Sequence, residues 1–130
     1  MKVLVVEDDF ASRKLLRKYL EPYGECDIAV NGEEAIDVFQ LSLVENRPYD
    51  LICLDIMLPK IDGQEVLKKI REIEETQGIS GLKGAKIIMT TALNDPQNIM
   101  RAFKSQCEAY LTKPIDQASL IEEMKNLKLV

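Results

Sequence analysis

The sequence predicts one α/β domain in which helices cover both faces of a parallel sheet. Three observations favour this fold. Five short apolar runs recur along the 130 residues, a segment with helical spacing of apolar residues follows each run, and the connections are short. The chain has the size of one ordinary domain, and 46% of its residues are hydrophobic, so it can bury a substantial core.

Each strand is predicted by its own pattern. The first run is rich in valine and too short for a helix, and the second alternates apolar with polar residues. The third is almost wholly apolar, as expected for a central parallel strand covered on both faces. The fourth and fifth are short apolar runs bounded by turn residues. In chain order, the predicted strands are residues 3–6, 26–30, 49–54, 86–91 and 108–112.

The helices are predicted from apolar residues three and four positions apart and from the residues that end each pattern. Pro22 and Gly24 end the first helix, and Asn31-Gly32 leads into the second. A glycine-punctuated segment, residues 78–84, links the third helix to the fourth strand. In chain order, the apolar helical residues lie over 15–20, 35–43, 66–73, 99–103 and 120–127, and the fifth helix is expected to run to the end of the chain.

The order of the strands follows from general rules for such sheets. Crossovers between parallel strands are right-handed, so helices cover both faces. The common order for five strands is 2-1-3-4-5, the flavodoxin-like, doubly wound (βα)5 arrangement, which places the carboxyl ends of strands 1 and 3 side by side. We expect a single domain over residues 1–130, with no output domain.

The composition excludes several classes of protein. A net charge of -5 argues against direct binding of nucleic acid, whose phosphates require a basic surface. No apolar run approaches the ~20 residues that span a bilayer, so we expect no membrane insertion and a cytoplasmic protein. The absence of histidine excludes histidine-based catalysis and zinc binding. Cys26, Cys53 and Cys107 are far apart among apolar neighbours and are expected to be free core thiols.

Charged residues stand where the predicted strands end. Glu7 and Asp8 follow strand 1, Asp55 follows strand 3, and Lys113 follows strand 5. Because the carboxyl ends of parallel strands share one edge of the sheet, three carboxylates and an ammonium should lie together. Carboxylates that close need a counter-charge, and their oxygens are the ligands that Mg²⁺ prefers. The sequence therefore predicts a site for Mg²⁺ or Mn²⁺.

The same cluster can support phosphoryl chemistry. A carboxylate is a nucleophile toward phosphorus when a cation screens the phosphoryl oxygens and a second positive group stabilises the developing charge. Lys113 can supply that second charge. At the end of strand 4, the Thr91 hydroxyl and the Ala92 backbone N–H could each donate a hydrogen bond to a phosphoryl oxygen. No general base is needed, because the carboxylate is already ionised.

These residues lie in segments that resemble the receiver domains of two-component response regulators, and specifically the single-domain, chemotaxis-type members. The segments occur in the family's order at compatible spacings, and the resemblance covers essentially the whole chain. They are Val5-Val6-Glu7-Asp8-Asp9, Leu54-Asp55-Ile56-Met57-Leu58-Pro59 with Asp62-Gly63, Thr91-Ala92, and Tyr110-Leu111-Thr112-Lys113-Pro114.

The resemblance implies a role for each residue of the cluster. Asp55 would be the phosphoacceptor, and Glu7 and Asp8 would hold Mg²⁺ directly or through water, together with Asp55 and the backbone carbonyl of Met57. Other residues would contact the phosphoryl group, with Lys113 aimed by a cis peptide bond to the next residue. These phosphoryl contacts are Thr91 through its hydroxyl, Ala92 through its N–H and Lys113 through its ammonium.

The resemblance also implies a signalling switch. Tyr110 would rotate inward behind Thr91 on phosphorylation, and the surface of helix 4, strand 5 and helix 5, about residues 94–127, would report the change to a downstream protein or form a homodimer. The phosphoryl donor would be a sensor histidine kinase or a histidine phosphotransfer protein, since this chain has no histidine. Such a protein is not an enzyme, although it assists its own phosphorylation and dephosphorylation.

Two other functions share features with this prediction. A flavodoxin-like electron carrier would cradle a flavin phosphate after strand 1, where this chain has Glu7, Asp8 and Asp9, which repel phosphate unless a cation intervenes. A metal-dependent phosphatase or nuclease would need a water-activating base or a second aspartate two residues beyond the nucleophile, and Met57 occupies that position. Flavin colour and sustained turnover of phosphate esters would distinguish these alternatives.

Three further features concern two long segments, the third acid after strand 1 and the charges of the third helix. The segments 41–48 and 74–84 are long for the family, and Asp9 could cap helix 1 or contribute to the surroundings of the metal. In the charge-rich third helix, ion pairs four residues apart are expected on a solvated face. The expected pairs are Lys68–Glu72 and Arg71–Glu75.

Overall fold

A computed structural model of the chain describes residues 1–79 and 81–130, including their side chains except that of residue 82. Ser80 belongs to the predicted glycine-punctuated link and lies outside the described residues. The described part contains the predicted alternation of strands and helices.

The strands form one parallel sheet in the order β2-β1-β3-β4-β5, which confirms the predicted topology. β3 is buried along its whole length, as its apolar sequence predicts for the centre of a sheet covered on both faces. The strands are β1 (Lys2–Val6), β2 (Glu25–Ala29), β3 (Leu51–Leu54), β4 (Lys86–Thr91) and β5 (Ala109–Thr112).

Each of the α-helices begins immediately after an aspartate or asparagine whose side chain accepts a hydrogen bond from the backbone N–H three residues later. The helices are α1 (Phe10–Leu20), α2 (Gly32–Val44), α3 (Gly63–Thr76), α4 (Pro96–Lys104) and α5 (Gln117–Asn126). Their capping residues are Asp9, Asn31, Asp62, Asp95 and Asp116. Asp9 is therefore a helix cap, one of its two predicted roles.

Several element boundaries differ from the prediction, by one residue in β1, β2 and β5 and by more at the start of β3 and the end of α5. β3 begins at Leu51 rather than at Tyr49, whose hydroxyl donates to Asp27 Oδ2 at 2.7 Å and whose ring lies 4.5 Å from Lys2 Nζ. α5 ends at Asn126 and does not reach the end of the chain. Its last turn is closed because Lys128 adopts a left-handed φ of 60°.

The core consists of two apolar clusters, one on each face of the sheet. α2, α3 and α4 cover one face, where Phe39 and Leu67 are among the buried residues. α1 and α5 cover the other, with Leu16 and Met124 buried there. All three cysteines are free thiols, as predicted, although Cys26 is only partly buried. No helix in the described part of the chain is long and apolar enough to cross a membrane.

The ion pairs expected on α3 are wrong. Arg71 pairs instead with Glu74 at 2.8 Å and with Glu108, beside β5, at 2.9 Å, and its side chain is only 13% exposed. Its guanidinium also donates to the carbonyls of Ala85 and Gln106. The pair with Glu74 is an i,i+3 neighbour on the same helix, whereas the contact with Glu108 arises because tertiary packing turns Arg71 toward the sheet.

Candidate functional site

The sheet brings the ends of β1 and β3 together. Val6 and Leu54 are register partners in the parallel pair, and the backbone N–H of Asp55 donates to the carbonyl of Val6 at 3.1 Å. The N–H of Glu7 donates to Ala29 at the end of β2, at 3.0 Å. These bonds fix the backbone of the two acids as extensions of adjacent strands.

Three predicted acids meet at this edge. Glu7, Asp8 and Asp55 each offer a carboxylate oxygen, and these oxygens lie within 4.8 Å of one another. Glu7 is 0% and Asp55 3% exposed, whereas Asp8 is exposed to solvent. Hard oxygen donors open to water on one side suit Mg²⁺, which usually keeps several water ligands. The donor set therefore fits the predicted cation.

Lys113 also lies where the sequence predicts it. Its Nζ is 2.7 Å from Glu7 Oε2 and 3.0 Å from Asp55 Oδ2. Its backbone N–H donates to the carbonyl of Thr91 at 2.8 Å, which joins the ends of β4 and β5. The peptide bond from Lys113 to Pro114 is cis, as the resemblance implies. The lysine thus bridges the two buried carboxylates.

The electrostatics follow from burying these charges together. Burial raises the pKa of Glu7 from 4.5 to about 7, with a smaller contribution from the nearby charge of Asp55, while contact with Lys113 acts in the opposite direction. Burial alone would lower the pKa of Lys113, but its hydrogen bonds to Glu7 and Asp55 outweigh burial and leave that pKa raised. Lys113 is therefore a cation held by its two acidic partners.

The loop after β3 is shaped by a close backbone approach. A Cβ on Gly63 would lie 2.0 Å from the carbonyl oxygen of Asp55, so a larger residue would push the loop away. The N–H of Gly63 donates to Ile56, and the N–H of Met57 donates to Asp55 Oδ1 at 3.1 Å. These contacts orient the Asp55 carboxylate. Coordination of a metal by the Met57 carbonyl stays a prediction.

The remaining predicted residues lie at the ends of β4 and β5. Thr91 is buried as the last residue of β4, and its hydroxyl accepts a 3.4 Å hydrogen bond from the N–H of Leu93. Ala92 follows it and is exposed. Tyr110 is partly buried, and its hydroxyl donates to the carbonyl of Leu93 at 2.6 Å. The tyrosine therefore contacts the connection that carries Thr91 into α4, while the phosphoryl contacts of Thr91 and Ala92 stay predictions.

Two residues near the site were not identified from the sequence. Arg13 donates to the backbone carbonyls of Glu7 and Asp8, and Gln64 joins the first turns of α3 and α4. An arginine in the first turn of a helix that follows an acidic loop only weakly indicates that it binds the backbone of that loop. A glutamine among the apolar residues of α3 is a clearer indication, because a buried amide needs partners.

A protein-family model for the response regulator receiver domain matches residues 3–125. The chain belongs to this family. It is 39% identical over 127 residues to the transcriptional regulatory protein ResD of Bacillus subtilis, across 97% of this chain and 47% of the relative. It is 36% identical over 126 residues to the probable transcriptional regulator ycf29 of Porphyra purpurea, across 96% of this chain and 55% of the relative. The receiver thus spans about half the length of the curated relatives it matches.

Solved receiver structures share its fold. A chain of the CheX–CheY–BeF3–Mg²⁺ complex from Borrelia burgdorferi matches with a TM-score of 0.84 and 25% identity, over 98% of this chain and 89% of that one. A chain of the Saccharomyces cerevisiae complex between the phosphotransfer protein Ypd1 and the receiver domain of Ssk1 gives 0.83 and 29%, over 98% and 88%. Family membership favours two-component signalling over the electron-carrier and phosphatase alternatives.

Proposed function

We propose that Asp55 accepts a phosphoryl group from a phosphohistidine on a sensor histidine kinase or a histidine phosphotransfer protein. An oxygen of the Asp55 carboxylate forms a bond to phosphorus, the bond from phosphorus to the imidazole nitrogen breaks, and that nitrogen keeps the electron pair and takes a proton from solvent. The product is an aspartyl phosphate. The same site would also assist the hydrolysis that returns Asp55 to its free carboxylate.

The observation that carries this proposal is the position of Asp55 beside both the acidic pair and Lys113. Its Oδ1 accepts from the N–H of Met57 and its Oδ2 faces Lys113, so the carboxylate is held in one orientation. Glu7, Asp8 and Asp55 would hold Mg²⁺, which when bound offsets negative charge on the transferring phosphoryl oxygens. Lys113 contacts the Asp55 carboxylate, and after the transfer its ammonium would stabilise the negative charge on the phosphoryl group.

The output proposed for the domain is a change in the surface formed by α4, β5 and α5, from Asn94 to Leu127. Tyr110 supports this proposal because it joins β5 to the connection between Thr91 and α4. That surface would bind a downstream protein, or a second copy of the chain. The solved complex of Ypd1 with a related receiver supports a phosphotransfer partner for this one.

Three further parts of the proposal concern the setting in which the receiver acts. We propose action in the cytoplasm, which the free thiols support, since thiols stay reduced there. The net charge of -5 supports an output through proteins rather than through direct contact of this domain with nucleic acid. Action without an attached output domain stays a prediction, because curated relatives such as ResD are about twice the length of this chain.

Mass spectrometry of the intact protein tests the assignment of Asp55. Incubation with a small phosphodonor such as acetyl phosphate and Mg²⁺ should add one phosphoryl group, and chelation of the metal should abolish the adduct. Asp55→Asn should remove it. Asp50→Asn is the matched control, because Asp50 lies beside the opposite end of β3, and this variant should be modified like the wild type. An adduct that survives Asp55→Asn would refute the assignment.

A further inference from the structure

Arg13 ties the loop after β1 to the first turn of α1. Its Nη1 donates to the backbone carbonyl of Glu7 at 3.1 Å and to that of Asp8 at 3.2 Å. Its own backbone N–H donates to the carbonyl of Asp9 at 3.0 Å, which closes the first turn of the helix. One side chain thus holds the backbone of both residues in the proposed metal-binding pair.

The guanidinium is itself restrained. Arg13 is partly buried, and its Cζ lies 5.5 Å from the centre of the Phe10 ring, within the range of a cation–π contact. A planar guanidinium presents several donors in fixed directions, so one nitrogen can serve two neighbouring carbonyls at little cost in side-chain freedom. Arg13 is therefore built as a bridge across the loop rather than as a free surface charge.

The contact with Arg13 restrains Asp8 more than Glu7, because Glu7 has other contacts that hold it. Glu7 is buried, its N–H is bonded to Ala29, and its carboxylate contacts Lys113. Asp8 is exposed, and Arg13 holds its carbonyl. Because Mg²⁺ demands nearly ideal octahedral geometry, a ligand on a loosely held loop loses affinity.

We propose that Arg13 is a positioning residue for the divalent cation, which fixes the backbone of Glu7 and Asp8 so that their carboxylates meet that of Asp55. The inference rests on the proposed function in taking these three acids as the Mg²⁺ site. Groups that orient metal ligands typically change metal affinity by about 10- to 100-fold when they are removed.

Because Arg13 is charged, the direction in which Mg²⁺ affinity changes on its substitution tests this proposal. A cation near a metal site repels the metal, so removing it would tighten Mg²⁺ binding if charge alone mattered. Loss of the bridge to the two carbonyls would weaken binding. The two effects oppose each other, and the direction of the change shows which one dominates.

The experiment measures Mg²⁺ affinity by calorimetry and by amide chemical shifts of the loops at residues 7–13 and 55–57. Arg13→Met keeps an unbranched apolar stem beside Phe10 and removes the donors, and we expect Mg²⁺ binding to weaken about 10-fold. Arg13→Lys keeps the charge without the planar guanidinium and should weaken binding less. Arg17→Met is the matched control, because Arg17 lies one turn along α1 in an exposed pair with Glu21. It should change affinity by less than about twofold.

Equal or tighter binding by Arg13→Met would overturn the proposal, as would an equal loss in Arg17→Met. If Arg13→Met does not fold, Arg13→Lys decides alone: weaker binding supports positioning and unchanged binding overturns it. A wild-type protein whose loop amides do not respond to Mg²⁺ would instead refute the metal site, and with it the proposed function. Failure of the arginine's role is thereby distinguished from failure of the site.

Discussion

Glu7 is a buried acid beside a second acid, Asp55. When no metal ion is bound, keeping the Glu7 carboxylate ionised at this position lowers the stability of the folded protein. Burial raises the pKa of its carboxyl to about 7, above the ordinary value of 4.5. The folded state therefore binds a proton more tightly than the unfolded state does. The stabilisation from that proton is fully present below the unfolded pKa and is lost as pH rises through about 7.

Glu7→Gln should remove this pH dependence, because an amide has no proton to lose. From pH 5 to pH 8, the wild type should lose on the order of 1–3 kcal/mol in its free energy of unfolding that the variant does not lose. Urea unfolding at both pH values, in the presence of a chelator, measures the shift. Glu33→Gln, on the exposed side of α2, is the control. A difference between Glu7→Gln and wild type that is equal at both pH values would contradict the explanation.

Lys113 is expected to matter more for signalling than for phosphorylation. Lys113→Ala should still form the adduct on Asp55, slowly, because the metal-binding acids remain, but it should not transmit the change to α4. Hydrogen exchange across residues 93–104, with and without beryllofluoride and Mg²⁺, measures transmission. The wild type should show a difference and the variant should not. A wild-type response in the variant would contradict the signalling role of the lysine.

At the scale of elements, Gln64 is a polar contact inside the packing of α3 against α4. It is 1% exposed, and its Nε2 donates to the Asn98 carbonyl at 2.8 Å and to Asn98 Oδ1 at 3.2 Å. Asn98 in turn donates to Asp95, the cap of α4. Gln64 Oε1 is buried without a hydrogen-bond partner among the described residues. The first turn of α4 is therefore held by a side-chain amide whose N–H groups are bonded but whose oxygen has no partner among the described residues.

Gln64→Met should loosen α4 with little change in global stability, since it removes both the hydrogen bond and the unsatisfied oxygen. We expect the amides of residues 98–101 to exchange about 2- to 10-fold faster, the effect of losing one hydrogen bond. Hydrogen exchange followed by mass spectrometry or NMR checks this. Gln40→Met, at an exposed position of α2, should leave α4 unchanged. Unchanged exchange in Gln64→Met would show that apolar packing alone holds α4.

At the scale of the whole molecule, Arg71 joins α3 to the amino-terminal ends of β4 and β5, at the opposite edge of the sheet from Asp55. Arg71→Leu leaves Glu74 and Glu108 without their counter-charge. We expect a loss of about 3–5 kcal/mol in the free energy of unfolding, measured in urea. Arg47→Leu breaks an exposed pair with Glu25 and should cost less than about 1 kcal/mol. Equal losses in the two variants would show that burial of the Arg71 network adds nothing.

The sequence predicts that the acids and the lysine meet, and the structure brings them together, because topology carries most of the information. Glu7, Asp55 and Lys113 follow separate strands, and parallel pairing brings strand ends together whatever the details of side-chain packing. Contacts between a helix and its neighbours are different. The contacts of Arg71 with Glu108 and of Gln64 with Asn98 depend on which side chains meet after the layers pack, and neither the helical period nor the composition specifies that.

The direction in which the helices start has a consequence for the proposed phosphorylation of Asp55. Each of the helices α1 to α5 follows a parallel strand, so the amino termini of these five helices lie toward the edge of the sheet that carries Asp55. Peptide dipoles give each such terminus a partial positive charge that extends over about one turn. A phosphoryl group at Asp55 would therefore add negative charge on the electropositive side of the backbone. The peptide dipoles nearest to Asp55 would therefore favour the proposed phosphorylation of that residue.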